Sequence, residues 1–171
     1  MPFSQTLLPE FDEEMKNTRR LLEAVPDGRL DYKPHPKSMT LGQLATHVAQ
    51  MPSWAATTLD VELLEFGPDF KPQLANSRAE LLEIFDKGVA DARPKIAAAG
   101  DADWQKIWTL KFAGKTILSM PRAAIMRSTV MNHMVHHRAQ LGVYLRLNEV
   151  AIPGMYGPSA DEMAAWDAAG A

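Results

Sequence analysis

The sequence contains no cysteine, which excludes disulfide scaffolds, thiolate nucleophiles and every cysteine-ligated zinc or iron-sulfur site. Any metal must therefore use His, Asp or Glu. Positive charge is in short supply as well: Lys and Arg number 18 against 21 Asp and Glu, a formal net charge of −3. No basic arm or stripe runs through the chain, so nucleic acid and anionic membrane surfaces are excluded as expected partners. Long apolar runs are absent. The N-terminal stretch MPFSQTLLPEFDEEMK is acidic and has too few apolar residues for a signal peptide or a membrane span, which predicts a cytoplasmic protein. What remains is 171 residues, 46% hydrophobic and 23% charged, without internal repeat or low-complexity tract. That composition predicts one globular domain over residues 1–171, large enough to build a core without a structural metal.

Between Leu7 and Val25 the residues Leu7, Leu8, Phe11, Met15, Thr18, Leu21, Leu22 and Val25 recur at steps of three and four, the signature of an amphipathic helix. Pro26-Asp27-Gly28 stops it, and the stretch to Ser38, with Pro34 and Pro36, reads as an ordered loop. Thr40 caps a second helix whose buried side is Leu41, Leu44, Ala45, Val48 and Met51; Pro52 is expected to kink or interrupt it before it resumes from Trp54 to Leu64. Ser77 and Glu80 form a capping box for a third helix running to about Ala99, and Gly100 to Asp103 read as a turn. From Trp104 to Met120 the alternation around Ala113-Gly114-Lys115 suits a short hairpin. Pro121 then opens a long helix through Leu147. The turn Ile152 to Pro158 is followed by a short C-terminal helix with its own capping box, Ser159 and Glu162. Four main helices and one hairpin excursion predict an all-α fold of helical-bundle type.

Chemistry concentrates in the histidines. His133 and His137 lie four apart, so in a helix their Cβ atoms stand about 6 Å apart on one face and both rings reach a common ion. Met126, Val130, Leu141 and Tyr144 share that face, which places the pair toward the core. Burying two imidazoles without partners costs on the order of 1 to 3 kcal/mol each. A metal satisfies both at once; so would hydrogen bonds to backbone or carboxylate in a purely structural core. His47, on the stripe of Leu44, Val48 and Met51, faces inward from the second helix and supplies a third ligand. All-nitrogen ligation favours zinc or nickel over magnesium or calcium. His136 is about 100° round the helix from His137 and reads as a surface residue or a partner behind the ligands. His35, between prolines, is expected in an exposed loop. A zincin-type peptidase is disfavoured because Met134 stands where HExxH has Glu.

Three stretches resemble the DinB/YfiT-like family: LGQLATHVAQMPSW (Leu41 to Trp54), HMVHHRAQLGVYLRL (His133 to Leu147) and IPGMYGPSADE (Ile152 to Glu162). The resemblance implies an up-down-down-up four-helix bundle, commonly a homodimer, with a divalent metal held by three His that fall on His47, His133 and His137. The family's His-Arg pair falls on His137 and Arg138, and Ala139 replaces a frequent Gly. It further implies transfer of a low-molecular-weight thiol, as cosubstrate, to an electrophilic small-molecule substrate, or a related thiol-dependent isomerisation. A pocket walled by Met51, Trp54 and Tyr144 would receive that substrate, with the general base unassigned. A metal-dependent hydrolase and a non-catalytic, stress-associated metal-binding bundle are the alternatives.

Overall fold

The computed structural model describes residues 1–170. Helix α1 spans Phe3–Glu23, α2 Leu41–Asp60, α3 Arg78–Ala98 and the short α4 Asp101–Gln105. A late helical run begins with α5 (Arg122–Ile125), passes through a π-helical segment (Met126–Asn132) and continues as α6 (His133–Leu147); α7 is Ala160–Gly170. The strands are β1 (Leu63–Phe66), β2 (Ile107–Phe112) and β3 (Lys115–Pro121).

Local signals place most helix ends. Thr40 Oγ1 accepts from the Gln43 N–H while the Gln43 side chain accepts from the Thr40 N–H, closing the capping box of α2. Ser159 and Glu162 close the reciprocal pair at α7. At α3 only half the expected box forms: Ser77 caps Glu80, but the Glu80 carboxylate turns to the Asn76 N–H instead. Pro52 lies inside an unbroken α2, which absorbs the missing N–H without interruption.

The core is built by helix faces. Leu7, Phe11, Leu21 and Leu22 of α1, Leu44, Val48 and Met51 of α2, Leu81, Phe85 and Ile96 of α3, and Met134, Leu141 and Leu145 of α6 are all almost fully buried in one cluster. The four long helices close a ring, α1 against α3, α3 against α2, α2 against α6 and α6 against α1. Gly88 sets the closest approach of α3 to α2, where an added Cβ would lie 3.1 Å from Ser53 N and 3.2 Å from Pro52 Cβ.

The all-α expectation is corrected by a three-stranded sheet in the order β1-β2-β3. The hairpin lies where Ala113-Gly114 indicated, and both residues have positive φ, 47° and 80°, as a type I′ turn requires. The expected continuation of α2 to Leu64 fails, because the helix ends at Asp60 and Leu63–Phe66 pairs in parallel with Thr109–Phe112. Two further boundaries differ. Gly100 caps α4 and Asp101 to Asp103, expected as a turn, are its first residues; Trp104 of that helix is buried and donates to Ser4 Oγ at 2.8 Å, pinning the start of α1. Pro121 both ends β3 and stands as the N-cap of the late helix, one residue before its first turn, and that helix is not uniform. No helix among the described residues is long and apolar enough to cross a membrane.

Candidate metal centre

The π-helical segment delivers His133. Its own N–H bonds Val130 O, and the Thr129 carbonyl, which an unbroken α-helix would pair with that N–H, lies 3.2 Å from the imidazole Nδ1. One turn later His137 Nδ1 lies 2.8 Å from Gln140 Oε1. Both acceptors demand a proton on Nδ1. The tautomer with its proton on Nδ1 leaves Nε2 of each ring as the ligand atom, and the two Nε2 atoms face each other at 2.9 Å. From α2, His47 Nε2 stands 3.4 Å from His133 Nε2.

These separations are those of ligands around one ion. Three nitrogens each about 2.1 Å from a metal stand about 3.0 Å apart at right angles and about 3.4 Å apart at the tetrahedral angle. With both Nδ1 atoms turned to oxygen acceptors, the two Nε2 atoms are directed at one point, where a single cation would bind them together. His47, His133 and His137 offer ligand atoms that all lie within 4.8 Å of one another. All three rings are half-buried, not enclosed. The fully buried stripe of α6 is Met134, Arg138, Leu141 and Leu145, so the imidazoles flank the core on the side that meets α2 and open on solvent.

Electrostatics favour the neutral form of the His47 and His137 rings. Burial, then the neighbouring His137 and His133, push the His47 imidazole down to about 4. Burial also lowers His137; its hydrogen bond with Gln140 opposes this, while His133 and His136 add to it. His136 is exposed and stacks edge-on to His137 with ring centroids 4.8 Å apart, away from the convergence point. His35 lies exposed in the loop, its Nδ1 accepting from the Lys37 N–H.

Two cavities of about 560 and 400 Å³ meet His47 and Gln50. Of the three pocket walls expected from sequence, only Trp54 lines them: Met51 is core, and Tyr144 turns its hydroxyl to Met39 O. Neither cavity has an Asp or Glu in its lining.

Sequence periodicity missed a second polar centre behind the histidines. Arg138, 2% exposed, pairs with the Glu14 carboxylate of α1 at 2.6 Å and donates to Glu14 O and Thr18 Oγ1. The Tyr156 hydroxyl joins them, donating to Glu14 Oε1 at 2.9 Å while its ring stays 70% exposed. Burial of that hydroxyl, then the hydrogen bond to Glu14, raises the phenol above its ordinary value. Arg138 braces the helix that carries His133 and His137 against α1. Only the family resemblance singled it out, since one inward Arg has no periodic signal of its own.

A sequence model described as the DinB family matches residues 1–168. The chain is 23% identical over 164 residues to YrdA of Bacillus subtilis (strain 168), covering 92% of this chain and 90% of that protein. Among solved structures, a DinB-like protein of Bacillus cereus superposes with a TM-score of 0.68 at 24% identity, covering 87% of this chain and 95% of that one. The DinB-like protein YjoA of Bacillus subtilis does so with a TM-score of 0.66 at 16% identity, covering 88% and 96%. At these identities the two structures speak for the fold alone.

Proposed function

The chain belongs to the DinB family, and from that premise we propose a metal-dependent enzyme in which His47, His133 and His137 hold a divalent ion, zinc or nickel. The observation that carries this reading is the pair of Nε2 atoms 2.9 Å apart, each aimed by an acceptor on its own Nδ1. Thr129 O and Gln140 Oε1 act as the outer partners that orient metal-binding imidazoles and raise their basicity. Three nitrogen ligands from one side leave positions open toward the cavities, where the ion would supply Lewis-acid activation of a thiol or a water.

Of these two reactions, thiol transfer fits the surroundings better. Hydrolysis calls for a general base, and the cavities at His47 are lined by no carboxylate. Transfer of a low-molecular-weight thiol to an electrophilic small molecule would form a carbon–sulfur bond, expel the leaving group with its electron pair and release the thiol proton. A thiol-dependent isomerisation belongs to the same chemistry. Since the chain has no cysteine, the sulfur comes from the cosubstrate. Incubating zinc- and nickel-loaded protein with a small thiol and a panel of alkyl and aryl halides, with adducts read by mass spectrometry, tests the proposal. Adduct formation that disappears in His133→Ala supports it; a metal-loaded protein inert to every pair rejects transfer and leaves the non-catalytic metal-binding bundle.

The up-down-down-up order and the homodimer belong to this same proposal. The connection from Val61 to Ser77 has the length that a parallel crossover between α2 and α3 needs. Val143 and Leu147 of α6 stand 57% and 56% exposed, apolar surface that a second copy would cover. Sedimentation of the chain tests the dimer directly.

A further inference from the structure

Along α2, Gln43, His47, Gln50 and Trp54 follow one another at steps of four, three and four, so they share one stripe of the helix, about 16 Å from end to end. The two cavities divide that stripe between them. Both are lined by His47, Gln50 and Pro72, but the larger extends to Trp54 and the smaller to Gln43. Their chemistry differs. The larger is walled by the rings of Trp54, Phe66 and Phe70 and has no Lys, Arg, Asp or Glu in its lining, whereas the smaller has Lys71. Lys16, Lys95 and Lys106 are ion-paired; Lys71 has no carboxylate partner among the described residues. Gln43 adds a second donor to the same lining. Its Oε1 is committed to the Thr40 N–H in the capping box, which settles the orientation of the amide and leaves its NH₂ without an acceptor among the described residues. Thr46 has nothing further to give, because its hydroxyl donates to Gly42 O and accepts from the Ala75 N–H.

We infer that the smaller cavity seats the thiol cosubstrate of the reaction proposed above, on which the inference rests, and that this thiol is an acid, with a carboxylate held by Lys71 and the Gln43 amide and its sulfur beside His47. A volume of about 400 Å³ holds a small thiol of that kind. The larger cavity is the wrong place for it. A carboxylate there would lose its water against aromatic rings and meet no cation. Beside Lys71 and Gln43, both exposed, it keeps part of its water and gains two donors, each worth about three- to fivefold in affinity at so wet a site. A neutral thiol gains neither. The larger cavity is then free for the electrophile, and the two reactants reach His47 from opposite ends of the stripe without either passing the other. Lys71 and Gln43 thus set which thiol the site accepts.

Calorimetric titration of the zinc-loaded full-length protein with ω-mercapto acids of three to six carbons, each against the mercapto alcohol of the same length, tests the inference. The best acid of the series is expected to bind at least tenfold more tightly than its alcohol. Lys71→Met should cut that preference about fivefold and leave the alcohol unchanged, and Lys71→Glu should abolish it. Gln43→Glu keeps the acceptor that the Thr40 N–H needs, and with it the cap, but exchanges a donor for a negative oxygen; it should cut the preference at least as much. Salt at 0.5 M should weaken the acid and spare the alcohol. Spectra give a second reading. In ¹H–¹⁵N correlations the Gln43 side-chain NH₂ pair, identified by its loss in Gln43→Glu, should shift in a saturable manner with the acid and stay in place with the alcohol, in zinc-free protein as well as zinc-loaded. Acids and alcohols that bind alike, or a preference that Lys71→Met leaves intact, overturn the inference. Neither reading needs turnover. An active enzyme that prefers no acid therefore refutes this subsite alone, and an acid preference that Lys71→Met removes from an inert protein refutes the transfer reaction alone.

Discussion

Arg138→Met is the substitution whose cost follows most directly from the coordinates. The guanidinium is 2% exposed and the Glu14 side chain 11%, so the change removes one member of a buried ion pair and strands the other. Breaking such a pair typically costs about 3–5 kcal/mol. Here the Tyr156 hydroxyl still donates to the Glu14 carboxylate, so the lower end applies, about 3 kcal/mol. For a chain of this length each kcal/mol moves the melting temperature by about 2–4 °C, which predicts a fall of roughly 6–12 °C by calorimetry. The double variant Arg138→Met, Glu14→Leu removes the stranded charge and should recover most of that loss. A loss under about 1 kcal/mol in the single variant, or strict additivity in the double, would refute the assignment of Arg138 as the buried brace between α6 and α1.

Gly88→Ala should lose about 1 kcal/mol in urea unfolding: overpacking against the rigid Pro52 ring costs about 2, and helix propensity returns about 1. A stabilised variant would mean that α3 can move away from α2 without cost. Gln140→Ala should weaken zinc binding about 10- to 100-fold in competition with a chelating dye, by freeing the His137 ring to turn. Unchanged affinity would remove Gln140 from the site. Asp161 is held down to about 2, first by its hydrogen bond with Arg146 and then by the Ile152 N–H, against 3.8 in the unfolded chain. A depressed carboxylate stabilises the fold above the unfolded value and ceases to do so as pH falls through the folded one. The difference in proteolytic resistance of the C-terminal turn between the parent and Asp161→Asn should thus hold at neutral pH and vanish between about pH 4 and pH 2.

The helices were legible because their information is local. Thr40 as a cap and Ser159 with Glu162 as a box announce helix starts within four residues, and the buried stripes of α1 and α2 follow the 3.6-residue period. Ala113-Gly114 announced the hairpin for the same reason. Strand β1 did not announce itself. Leu63-Leu64-Glu65-Phe66 reads as more helix until its partner, more than forty residues later in the chain, is known. The π-helical segment before His133 has no sequence signature either, although it shapes the contact between Thr129 O and the His133 ring. His47, His133 and His137 were legible as three inward positions; their meeting depends on the contact of α2 with α6, which only the folded chain displays. The pocket expectation was least accurate. Met51 and Tyr144 have the right period but serve the core and the loop, while Phe66, Phe70 and Trp108 come from the sheet and its flank.

X-ray absorption at the zinc edge of the loaded protein measures the ligand set itself. The account predicts three imidazole nitrogens at about 2.0–2.1 Å, with one fewer in His47→Ala. A chain that retains no zinc through dialysis, or a coordination shell that His47→Ala leaves unchanged, would contradict it.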